Sequence, residues 1–134
     1  MKVTKIASMK TILINIFLLT ALSVSAQTEV DFLNSLGKGE MNNLDSYLSS
    51  SVILSINDKQ EKIERATAIT KLKAFIKSKK VINYKILHNG KSADKNSSYR
   101  VARIKTQAGT YRVFAYSESV GDKSKVVEVR IDAM

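Results

Sequence analysis

Apolar residues recur at helical spacing at Val30, Leu33 and Leu36 and give out at Gly37 and Gly39, which predicts a short helix ending near Gly37. Met41, Leu44, Tyr47 and Leu48 repeat the pattern and predict a second helix directly after it. At Val52, Leu54 and Ile56 the period changes to two, that of a strand, and Asn57-Asp58-Lys59 closes it with turn residues. Ile69, Leu72, Phe75 and Ile76 then mark one face of a third helix, from about Arg65 to Ser78.

From Val81 onward the period stays at two, and strands are expected over residues 81–88, 98–106, 110–118 and 124–131. Asn89-Gly90, Ala108-Gly109 and Gly121-Asp122 punctuate them. Helices followed by a meander of strands form an α+β pattern, three N-terminal helices packed on one face of a curved antiparallel sheet. Register is testable against burial, because a slip of one residue sends every side chain to the other face. A two-residue turn at Gly121-Asp122 sets Tyr116 opposite Val127, Phe114 opposite Val129 and Arg112 opposite Ile131. A three-residue loop at Gln107-Ala108-Gly109, with Gly109 left-handed, adds Ile104 opposite Arg112 and Ala102 opposite Phe114. This register gathers Ala102, Ile104, Phe114, Tyr116, Val127, Val129 and Ile131 on one face, with Arg103, Lys105, Glu128 and Arg130 on the other, and it turns Arg112 inward.

Several of these residues also carry a likeness. The stretch Tyr84-Lys-Ile-Leu-His88-Asn-Gly90, then Tyr99, then Ile104-Lys-Thr106-Gln-Ala-Gly109-Thr-Tyr-Arg112-Val113, closing on Val129-Arg-Ile131, resembles the exported bacterial family DUF4783. The resemblance spans Val30 to Ile131, with Phe75-Ile76 where the family usually has Phe-Phe. It implies the cone-shaped, nuclear-transport-factor-like (cystatin-like) α+β fold, and no activity. Members of that wider superfamily often keep a pocket between helices and the concave sheet face.

The first 26 residues have a different layout. Lys2, Lys5 and Lys10 precede an apolar run from Thr11 to Leu22, and Val24-Ser25-Ala26 supplies side chains that a signal peptidase accepts. The run is shorter than the roughly 20 residues that cross a hydrocarbon core. Residues 1–26 therefore read as a cleaved signal peptide and 27–134 as one exported domain, periplasmic or extracellular, beginning at Gln27 with no transmembrane segment. Removing the signal with its three lysines takes the formal charge from +10 to +7 on 108 residues. The chain has no cysteine, so an exported fold must rest on packing alone.

On the expected inward face stand His88, Arg100 and Arg112, with Tyr84 and Tyr116 nearby and no carboxylate. General acid–base chemistry needs a titratable group placed in an apolar cavity. Asp58, Glu61 and Glu64 belong to or adjoin a loop in this reading, and Glu118 lies near a turn, so the expectation is a binding domain rather than an enzyme. His88 either orients a ligand or bonds backbone groups of the Asn-Gly turn. An inward Arg112 needs a helix carbonyl, Asp132 or another carboxylate, or an anionic ligand, because an unpaired buried charge is costly. One histidine and no cysteine do not make a zinc site, and no cofactor is expected. Lys73, Lys77 and Lys80 line one side of the third helix, as a solvated flank or as an attraction for anionic polymers and head groups. Nucleic acid is not expected, since no stacking motif or groove-reading helix is present. The sequence thus points to a pocket for a small anionic or polar ligand at Arg112, His88, Tyr84, Tyr116 and Arg100. The alternative is a homodimer or protein-interaction module using an outer sheet face at Tyr99, Val101, Tyr111 and Val113.

Overall fold

The fold is given by a computed structural model that describes residues 28–91 and 96–134, with backbone alone at 88–91 and 120. The predicted signal peptide lies outside the described residues. Helix α1 (Thr28–Lys38) is followed by a single helical turn, α2 (Leu44–Tyr47), and by strand β1 (Leu48–Ile56). Strand β2 (Lys59–Glu64) leads into helix α3 (Arg65–Lys79), and the chain ends in β3 (Val81–Lys91), β4 (Ser97–Thr106), β5 (Gly109–Val120) and β6 (Lys123–Ala133). The predicted second helix keeps one turn only, because Leu48 already belongs to a strand that pairs with β6.

The six strands form one sheet in the order β2-β1-β6-β5-β4-β3. All neighbours are antiparallel except β1 and β6, which run parallel after the long crossover through α3 and the meander. With one apolar residue, Lys-Gln-Glu-Lys-Ile-Glu has no strand period, yet it forms β2. It is an edge strand, where charge blunts unwanted pairing. Asn57 and Asp58, both at positive φ, make the two-residue turn that joins it to β1, so Glu61 and Glu64 sit on a strand and not in a loop.

The helices cover one sheet face. Phe32, Leu33 and Leu36 of α1, Leu44 of α2, and Leu72 and Phe75 of α3 are buried against Leu54, Ala102, Ile104, Val113, Val129 and Ile131. Phe75 meets Tyr111 edge to face, with ring centroids 5.0 Å apart. At Gly37 a Cβ would stand 2.2 Å from the Tyr84 ring, so this glycine is there to let β3 close on the helix.

Two details of the meander overturn the expected register. The β4–β5 connection has two residues, not three: Thr106 pairs with Gly109, and its hydroxyl accepts from Ala108 N–H at 3.1 Å while donating to the Gly109 carbonyl at 2.8 Å. Gly121-Asp122 is the two-residue turn expected, with Gly121 at positive φ, but the β5–β6 ladder shifts between Ser117↔Val126 and Tyr116↔Glu128. Val127 is the extra residue of a bulge, which lets Val126 and Val129, three apart, both point into the core. Consequently Tyr111, Val113, Ala115 and Ser117 face the helices. Arg112, Phe114 and Tyr116 face the other way.

Candidate functional site

The five residues proposed from sequence do not converge. Tyr84 is on the helix-covered side, where its hydroxyl donates to Asn34 Oδ1 at 2.9 Å. Arg100 stands opposite Ala115 on that same side. Arg112 lies opposite Arg103 and Asp132 on the far face and is exposed, correcting its inward placement. Tyr116 is also on the far face, opposite Tyr99 and Glu128. His88 pairs with Val101 along the backbone, and its side chain lies outside the described residues. Of the expected outer-face set, Tyr99 and Val101 are there, whereas Tyr111 and Val113 are core.

A carboxylate does enter the helix side, from a place the strand pattern did not suggest. Glu29, in the first turn of α1, falls on the same helical stripe as Phe32, Leu33 and Leu36 and is only 1% exposed. Its Oε1 accepts hydrogen bonds from the hydroxyls of Ser98 on β4 and Ser117 on β5. Ser124 of β6 donates to Ser117 Oγ at 3.2 Å, and Thr28 donates to the Ser124 carbonyl at 3.4 Å. This set ties the start of α1 to three strands. Among the described residues the hydrogen bonds to this carboxylate come from serine hydroxyls of the sheet, which makes the set a tether between helix and strands. The sequence signal was available in the spacing Glu29–Leu33–Leu36, paired with small hydroxyl residues at inward strand positions.

The face away from the helices gathers aromatic and charged side chains. Cross-strand neighbours Lys62, Ile53, Glu128, Tyr116 and Tyr99 form one row across β2, β1, β6, β5 and β4. A cleft of 310 Å³ opens along it, lined by Ile53, Tyr116 and Val127 together with Lys62, Glu118 and Glu128. The bulge at Val127 sits in this cleft. Tyr99 and Phe114 rings lie 5.4 Å apart and Phe114 and Tyr116 rings 6.5 Å apart, the latter within 10° of parallel. All three rings are partly exposed.

Elsewhere, Lys71 donates to Glu61, and this hydrogen bond, with the ammonium charge, holds the Glu61 carboxyl below its ordinary range. Among the described residues no group of three histidine, cysteine or acidic side chains is placed to hold a metal, and no helix is long and apolar enough to cross a membrane.

Helices on one side of a six-stranded sheet with the other side open match the nuclear-transport-factor-like fold. An NTF2-like protein of Cytophaga hutchinsonii superposes with a TM-score of 0.60 at 7% identity, covering 83% of this chain and 90% of its own. Within that class the chain belongs to DUF4783, a domain of unknown function, whose family model matches residues 30–132. A family member from Bacteroides fragilis is 30% identical, with a TM-score of 0.69 over 75% of this chain and 92% of its own. One from Bacteroides ovatus is 22% identical, with a TM-score of 0.71 over 75% and 90%. No curated protein matches.

Proposed function

We propose that this chain is an exported, non-enzymatic binding domain that holds a small polar ligand in the cleft of the open sheet face, at Ile53, Tyr116 and Val127. The cleft itself carries this reading. Its 310 Å³ falls at the lower end of the range of small-molecule sites, which pair an apolar floor with a few convergent polar groups. Lys62, Glu118 and Glu128 in the lining suit a ligand bearing both a cationic and an anionic group. The buried carboxylate supports a binding rather than catalytic role, since its accepted hydrogen bonds come from serines of the fold. Export is supported by the basic, apolar and small-residue segments of residues 1–26.

The test is a titration of the isotope-labelled domain 27–134 with amino acids, dipeptides and sugars, followed by amide chemical shifts. Saturable shifts clustered at Ile53, Tyr116 and Val127, lost in Tyr116→Ser with folding retained, are expected. Shifts confined to the helix-covered side, or none with the whole panel, refute it. Export is checked separately by the mass of the protein recovered outside the cytoplasm, which should begin at Gln27.

A further inference from the structure

The other half of the open face carries a line of like charges. Lys85 is set two strands from Arg112 with Arg103 directly between them, and all three are exposed. Neighbouring strands are about 4.8 Å apart, so the three cations form a line across β3, β4 and β5. Like charges directly opposite one another on a sheet are destabilising. Lys105 and Arg130 widen the line, and Asp132 closes it opposite Arg112. Lys71–Glu61 is the ion pair found among the described residues, so Asp132, though opposite Arg112, stands beyond ion-pair distance of it, and Arg103 has cations, Lys85 and Arg112, on both sides. Beside the line run the partly exposed rings of Tyr99, Phe114 and Tyr116.

We propose that this face binds an acidic polysaccharide laid across the strands. A linear chain with one carboxylate per sugar repeats its charge at a spacing comparable to that between strands. Guanidinium forks pair well with such carboxylates, and the apolar faces of sugar rings suit the adjoining aromatic side chains. A two-fold contact centred on the line would set its cations against their own counterparts, which disfavours a second copy seated there. The preference for a sugar polymer over a nucleic acid rests on export; the charge line itself does not, nor does it require the neighbouring cleft to be filled.

The experiment measures binding of fluorescent oligogalacturonate to the domain 27–134 over a salt series, with neutral dextran and oligothymidylate as comparison probes. Arg103→Ala/Arg112→Ala is expected to weaken oligogalacturonate binding roughly tenfold at low salt, about 1.4 kcal/mol shared between two exposed pairs. The slope of log Kd against log salt should flatten by about one to two. Lys73→Ala/Lys77→Ala removes the same charge from exposed positions of α3 and should leave affinity nearly unchanged. The arginine variant should melt close to the parent, since the relieved Arg103–Arg112 repulsion offsets the lost attraction between Arg112 and Asp132, which separates lost binding from lost folding. Equal weakening by both double variants, no oligogalacturonate binding, or tighter binding of oligothymidylate overturns the proposal. Because Ile53 and Lys62 are untouched, each of these outcomes leaves the cleft titration to stand or fall by itself.

Discussion

Replacing Ser98 and Ser117 together by alanine deletes both hydroxyls that donate to Glu29 while leaving its carboxylate 1% exposed in the helix–sheet interface. A hydrogen bond to a charged group contributes about 1.5–3 kcal/mol, and a charged group left without its partner costs still more. Allowing for partial rescue by Ser124, which sits 3.2 Å from Ser117 Oγ, the double variant should lose about 3 kcal/mol. For a domain of this size that is a melting point lower by roughly 12–24 °C. Glu29→Leu alone should cost much less, about 1 kcal/mol, because Ser98 and Ser117 already lie 3.2 Å apart and can bond each other. The triple variant Glu29→Leu/Ser98→Ala/Ser117→Ala removes charge and donors at once and should recover most of the loss. Urea unfolding followed by circular dichroism gives the midpoint and slope for each protein and closes the cycle. A triple variant as unstable as the double one, or a double variant within 1 kcal/mol of the parent, refutes the tether.

Three further outcomes follow from particular contacts. Gly37→Ala would press its Cβ into the Tyr84 ring and should destabilise by about 1–3 kcal/mol, a penalty that disappears when measured in a Tyr84→Ala background. Because the chain has no cysteine, single thiols report the register: Arg112→Cys should react with a maleimide at the rate of an exposed thiol and Val113→Cys far more slowly, and the reverse order would restore the inward arginine. Glu61, lowered first by the Lys71 hydrogen bond and then by its charge, contributes stability that is present above the ordinary carboxylate range and lost as pH falls through its depressed value. Carboxyl-carbon shifts should therefore give Glu61 a midpoint below the other exposed glutamates, returning toward them in Lys71→Met.

The long elements were legible from the spacing of a few apolar residues, Ile69, Leu72, Phe75 and Ile76 in α3 and the alternating residues of the strands. Helix α3 starts at Arg65 as expected and ends within a residue of its expected boundary, and the four final strands are where the alternation puts them. The polar edge strand β2 was not, since it buries too little to leave a pattern. The register failed for a sharper reason. A turn held by the Thr106 side chain and a bulge at Val127 each shift pairing by one, and neither has a signature in apolar spacing.

Charge could have corrected that failure. With β5 in the observed parity, the inward residues Tyr111, Val113, Ala115 and Ser117 are all neutral, whereas the opposite parity buries Arg112. An unpaired buried arginine costs several kcal/mol, and this exceeds what leaving Phe114 and Tyr116 half-buried forgoes, each being worth about 1.5–3 kcal/mol when fully buried. The balance favours arginine out and aromatic rings out with it. The same comparison explains why the candidate surface is where it is. A strand whose neutral half fills the core must display its aromatic and cationic half together, so Arg112, Phe114 and Tyr116 reach the open face as a set. Opposite them β4 supplies Arg103, Val101 and Tyr99 in matching order, cation against cation and ring against ring. Pairing of that kind stabilises the sheet through its rings and strains it through its arginines, and an acidic ligand is the species that would relieve the second without disturbing the first.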